Sequence, residues 1–90
     1  MSGVIDNREK SRFELEEAGL IAFANYQRRD SVLVIPHVEA PPKLRGTGAV
    51  GRLMAGLLAL VRARGEKVVP TCSYAAAYLR RHEDERDLLA

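Results

Sequence analysis

The chain has 90 residues, a formal net charge of +2 and one cysteine, Cys72, which bound it to a single domain over residues 1–90 with a modest core, because a chain this short buries only about 60% of its unfolded surface. A hydrophobic share of 47% and a mean hydropathy of −0.17 exclude a disordered chain, and the lone cysteine excludes a disulfide framework or a cysteine zinc cluster. The cations alternate with acids in "REKSRFELEE" and "RRHEDERDLL", so there is no positive run and no aromatic-flanked basic platform of the kind nucleic acid needs.

In chain order, the opening "MSGVIDNREK" has no apolar signal core, which with the unpaired Cys72 predicts a cytoplasmic protein. "SRFELEE" sets Phe13 and Leu15 against Arg12, Glu14 and Glu16, the period of a half-buried strand. "GLIAFANYQRR" reads as a second strand, joined to the first by a tight turn around Glu17 to Gly19. After Asp30 and Ser31 comes a nearly all-apolar third strand, "VLVIPHVEA", in which Pro36 demands an edge or a bulge because it has no N–H for the ladder. From Gly46 or Thr47 the period changes. Val50, Leu53, Met54, Leu57, Leu60 and Val61 recur at helical spacing, Gly65 ends the helix, and Arg52 interrupts an apolar run too short to span a bilayer. "EKVVPTC" is a short strand and "SYAAAYLRRH" a second helix. The fold class is therefore α+β, an antiparallel β meander followed by α-β-α, with the helices in a three-layer-like packing on the sheet. Leu88 and Leu89 near the end pack either on the core or on a partner, and His82 reads as a solvated helix-end residue.

Gly46, Gly48 and Gly51 fit three phosphate-binding descriptions. A P-loop needs Lys followed by Ser or Thr after its last glycine, where this chain has Arg52 and Leu53. A dinucleotide fingerprint opens a parallel βαβ unit with an acid about 20 residues on, where Thr71 and Cys72 stand, and too little chain follows for a doubly wound sheet. The third description takes Arg45-x-x-Gly48 as the loop between a splayed strand and a helix N-terminus, whose unpaired N–H groups suit a pyrophosphate. A glycine-rich turn without a ligand is the plain alternative.

With "IPHVEAPPKLRGTGAVGRLM", "VVPTCSY", "VIDN", "RFEL" and "YLRRH", nearly the whole chain resembles a small, minimal GNAT-type N-acetyltransferase lacking the usual N-terminal helices. The resemblance implies acetyl-coenzyme A held between two diverging strands, with no metal. Arg45, Gly46, Thr47, Gly48, Ala49 and Val50 would form the pyrophosphate cradle, and Val38 and Glu39 the strand edge beside the pantetheine. Val50 stands where the family has Gly or Ala, with Gly51 just beyond, so the loop's last contact falls at one or the other.

Acetyl transfer needs a neutral amine, a stabilised oxyanion and a proton for the departing thiolate. His37 and Glu39, two apart on one strand, project to one face beside the expected thioester, and either would accept the amine proton. Each also has a plain reading, His37 as a hydrogen-bonded structural residue and Glu39 as a surface acid. Cys72, where a strand meets the last helix, would take the acetyl group covalently or line the pocket. The resemblance points to Tyr74 or Tyr78 as a donor to the thiolate, although both also suit packing. The expected activity is N-acetyl transfer to an unidentified amine, a protein or peptide if the acceptor side is open or a smaller one if a second subunit completes it. The alternatives are a non-catalytic acyl-coenzyme A-binding or sensing module and a ligand-free interaction domain.

Overall fold

A computed structural model describes residues 3–90. Strands β1 (Val4–Asn7), β2 (Arg12–Glu17), β3 (Leu20–Arg29) and β4 (Val32–Glu39) form an antiparallel meander. Helix α1 (Ala49–Ala63) carries the chain to β5 (Lys67–Pro70), which lies parallel to β4 and completes a five-stranded sheet in sequence order. Helix α2 (Ser73–Arg81) and a 3-10 segment (Glu83–Leu88) follow.

Local chemistry explains most of these boundaries. The β2–β3 hairpin turns on Ala18 and Gly19, both at positive φ, the geometry that matches the twist of paired strands. Gly65, at φ 68°, ends the last turn of α1. Strand β1 adds a fourth member to the expected three-stranded meander; its pairing of Val4 with Leu15 and Asp6 with Phe13 makes it a strand, whereas its polar composition alone does not.

Burial alternates along the meander. Val4, Phe13, Leu15, Ala22, Ala24 and Tyr26 are buried on one face with Leu53, Met54, Leu57 and Val61 of α1 and Ala75 and Leu79 of α2, in one core. The intervening Ile5, Glu16, Ile21 and Gln27 are exposed. The architecture of the described residues is thus two layers, not the three-layer-like packing expected, and among them no helix lies on the outer face of the sheet. Leu88 joins the core, while Leu89 is exposed and bridges to Val68 at the outer edge of β5.

Pro36 acts as its chemistry requires. The β3–β4 register shifts between Asn25 and Gln27 opposite it, a bulge that exchanges which β4 side chains face inward. Consequently Ile35 and Val38, three apart, both pack on the helix side, Val38 opposite Ala24.

One carboxylate ties β1 to this core. Asp6, with a side chain only 4% exposed, accepts hydrogen bonds from the Tyr26 hydroxyl at 2.6 Å and from Arg64 Nη1 at 2.8 Å, and Arg28 lies between Asp6 and the buried Glu66. Burial by itself raises the Asp6 carboxyl, but the bonds from Tyr26 and Arg64 and the charges of Arg64 and Arg8 outweigh it and hold the pKa below its ordinary 3.8. A depressed pKa contributes stability that is complete above the unfolded-state value and drains away as pH falls through the folded one. Asp6→Asn should therefore lower urea stability by about 1–3 kcal/mol at pH 7, and the gap between variant and wild type should close as the titration is repeated below pH ~4.

Candidate active site

The two prolines at the end of the parallel ladder shape the site. Pairing between β4 and β5 stops at Ile35 opposite Pro70, and neither Pro70 nor Pro36 has an N–H to carry it further. The Ile35 carbonyl instead accepts the amides of Thr71 and Cys72, each at 3.1 Å, which turns the chain out of β5 into α2. Beyond that point β4 remains paired with β3 through His37, Val38 and Glu39 but has no partner on its other side. The two strands part, as the sequence led us to expect.

The loop from β4 to α1 opens beside this gap. Pro42–Leu44 forms a 3-10 turn, and Gly46 and Gly48 then adopt φ 79° and 86°, a left-handed conformation that glycine enters without a Cβ penalty. Among the predicted cradle residues, Thr47 and Ala49 turn their amides inward: Thr47 N–H donates to the Leu44 carbonyl, and Ala49 N–H to Thr47 Oγ1. The amides of Gly46, Gly48, Val50 and Gly51 have no acceptor among the described residues and stand at the positive end of α1. A Cβ built on Gly46 or Gly51 would meet nothing within 4 Å, so that side is open to a ligand. Val50 half-buries its side chain against the core, which reconciles a β-branched residue with an available backbone. Arg45 is exposed, and its Nε donates only to the Ala40 carbonyl, so no carboxylate neutralises it. Unpaired amides and a free guanidinium suit a diphosphate.

From this loop a groove of about 590 Å³ runs between α1 and α2, walled by Gly48, Gly51, Arg52 and Ala55 on one side and by Tyr74, Ala77, Tyr78, Arg81 and His82 on the other. Arg52 is braced there: its Nε and Nη2 donate to both oxygens of Glu17 at 2.7 and 2.8 Å, and Nη2 also to the Thr47 carbonyl. Those Arg52 hydrogen bonds hold the Glu17 carboxyl below its usual pKa.

The predicted chemical residues divide between two sides of the sheet. Tyr74 lines the groove and is 42% exposed. Cys72 caps α2 at the gap, half-exposed and touching the core. His37 and Glu39 lie on the outer face, opposite Asn25 and Phe23, and are joined by a 2.9 Å contact between His37 Nε2 and Glu39 Oε1. A carboxylate only accepts, so Nε2 carries the hydrogen in this contact and Nδ1 is the ring nitrogen left outside it. The contact holds the two side chains together on the outer face. Phe23 and His37 rings sit 6.2 Å apart, and the Arg12 guanidinium lies over the Phe23 ring at 4.4 Å from its centroid.

Two groove residues carried no weight in the sequence. His82 is half-buried, not solvated, and stacks on Tyr78 at 3.7 Å between centroids. Arg81 stands beside it on the last turn of α2. Only the helical spacing of 74, 77, 78, 81 and 82 hinted at a shared face. Among the described residues, no three His, Cys, Asp or Glu side chains are arranged to hold a metal ion, and no helix is long and apolar enough to cross a membrane.

Residues 12–88 match the family model of the GCN5-related N-acetyltransferases, and the chain belongs to that family. It also superposes on the NMR solution structure of a GCN5-like protein from Staphylococcus aureus with a TM-score of 0.73 and 22% identity, covering 100% of this chain and 91% of that one. At that identity the likeness is one of fold. Among curated proteins none matches.

Two glycines in the loop should respond oppositely to alanine. At Gly48 the new Cβ would stand 2.9 Å from Arg52 Nη1 at a left-handed φ, and the Glu17 brace resists retreat, so Gly48→Ala should cost about 1–2 kcal/mol in a urea melt. Gly51 is helical with open space around it, so Gly51→Ala should stabilise the protein by about 0.5–1 kcal/mol.

Proposed function

We propose that the protein is an acetyl-coenzyme A-dependent N-acetyltransferase in which the coenzyme enters from the helix side and the amine from the outer face of the sheet, the two meeting in the gap between β4 and β5. The observation that carries this reading is the set of unpaired amides at Gly46, Gly48, Val50 and Gly51, standing at the mouth of a groove beside that gap. Those amides with Arg45 hold the diphosphate, and the free edge of β4 at Val38 runs beside the pantetheine. When bound, the coenzyme supplies a thioester whose carbonyl carbon the amine attacks.

The chain's own groups then manage protons. His37 Nδ1 removes the proton from the amine as the N–C bond forms, with Glu39 fixing the ring through Nε2. As the C–S bond breaks, the Tyr74 hydroxyl donates a proton to the leaving sulfur. Cys72 lines the gap between these groups. Its position there also favours a second route, in which its thiolate takes the acetyl group as a thioester, releasing the coenzyme thiol, and then gives it to the amine. The outer face is uncovered, so the acceptor is a protein or peptide amine. An unpaired cysteine suits the reducing cytoplasm.

Calorimetry with acetyl-coenzyme A tests the cradle. The wild type should bind, and Gly51→Ala, although more stable, should bind at least ~10-fold more weakly because a methyl group fills the approach to the amides; equal affinity in the two proteins would remove the loop from the site. Release of free coenzyme A in the presence of peptide amines tests the chemistry. His37→Ala should lower kcat/KM by roughly 10²-fold and erase one ionisation from its pH profile, whereas Glu39→Gln should keep that ionisation. Binding without thiol release for any amine would identify a non-catalytic acyl-coenzyme A module. Mass spectrometry after mixing with acetyl-coenzyme A separates the two routes, because only the second leaves an acetyl group on Cys72.

A further inference from the structure

The groove extends past the diphosphate cradle to an end that the proposed transfer does not use. The last turn of α2 lines it with Tyr78, Arg81 and His82. Arg81 is exposed and makes no hydrogen bond or ion pair with any described residue. The groove's other guanidinium, Arg52, is held by both oxygens of Glu17, so Arg81 is the one guanidinium in the wall left for a ligand among the described residues.

Beside it lies an aromatic platform. The Tyr78 and His82 rings stack with centroids 3.7 Å apart and planes 11° from parallel. His82 Nδ1 lies 2.7 Å from the Tyr78 carbonyl oxygen. A carbonyl only accepts, so Nδ1 carries the hydrogen in this contact. Burial, then the charge of Glu85, lifts the Tyr78 phenol above its usual 10.0, which keeps the platform neutral on that side.

Resting on the coenzyme reading above, we infer that the last turn of α2 reads the nucleotide end of coenzyme A, with Arg81 binding the ribose 3′-phosphate and the Tyr78–His82 stack carrying the adenine. A free guanidinium next to a stacked pair of rings, at the far end of a groove that begins in a diphosphate cradle, matches a purine nucleotide bearing a second phosphate. Electrostatics sharpens the role of Arg81. The carboxyl end of α2 is the negative end of its dipole, and Glu83, Asp84 and Glu85 follow at once, so this region repels a phosphate unless a cation sits between. Arg81 is therefore a specificity residue, since its loss leaves a surface hostile to the 3′-phosphate.

Calorimetry with coenzyme A and with 3′-dephospho-coenzyme A tests this. The wild type should prefer coenzyme A by roughly tenfold or more, and Arg81→Gln should abolish or reverse that preference while leaving the affinity for the dephospho form unchanged. His82→Ala should weaken both ligands alike, by roughly tenfold, and keep their ratio. The Arg81 guanidinium is exposed and makes no ion pair with a described residue, so its variant should melt with the wild type. Equal affinity of the wild type for the two ligands, an undiminished preference in Arg81→Gln, or a uniform loss of both ligands in that variant would overturn the inference while leaving the coenzyme site standing. A wild type that binds neither ligand would overturn both.

Discussion

The site exists because two prolines end a β-ladder. A parallel pair continues only while each residue in turn offers an amide or a carbonyl to its neighbour, and the last pair here joins Ile35 to Pro70 with Pro36 next in line. The Ile35 carbonyl is not left empty. Its two bonds from Thr71 and Cys72 fix the direction in which the chain leaves the sheet, and so the start of α2. Beyond Ile35 and Pro70 the two strands carry no ladder hydrogen bonds between them. The same interruption sets the bulge that sends Val38 to the helix side while His37 and Glu39 face outward. One backbone irregularity thus decides which face each of these side chains takes.

Around the parted strands the structure distinguishes amides it satisfies from amides it leaves unpaired. Thr47 and Ala49 close the loop internally, and Arg52 ties it to the β2–β3 hairpin through Glu17. The remaining amides are held in place by this bracing without being consumed by it. A cradle built so is organised before any ligand arrives, which reduces the ordering cost of binding. The core beneath, with Leu53, Met54 and Leu57 fully buried, anchors the helix whose first turn supplies the donors. Rigid support and exposed donors meet within a few residues of chain.

Much of this was legible in the sequence, and the exceptions have physical causes. Alternation in "RFELEE" and the helical period from Val50 to Val61 report burial directly, so β2 and α1 could be read with little loss. Strand β1 could not, because Asp6 and Asn7 look like turn residues until Tyr26 and Arg64 are brought to meet the carboxylate. The number of layers was misjudged although the signal was present. Glu14, Glu16 and Gln27 mark an outer face too polar to lie under a helix, and one-sided strands mean one-sided cover. The glycine loop was recognisable from spacing, but which of its amides point outward is decided by bonds to Leu44 and Thr47 that no spacing records. The Tyr78–His82 stack and the free Arg81 were invisible for a related reason, since an α-helical face acquires meaning only from what stands across from it.

The bridge from Leu89 to Val68, with the Ala90 amide donating to the Val68 carbonyl at 3.0 Å, runs along the outer edge of β5. An uncovered edge strand is a template on which other chains can add, and here Leu89 and Ala90 occupy part of that template. The Val68 backbone is thereby engaged on the side where a foreign strand would add, so this stretch of the rim meets its pairing needs from within the chain.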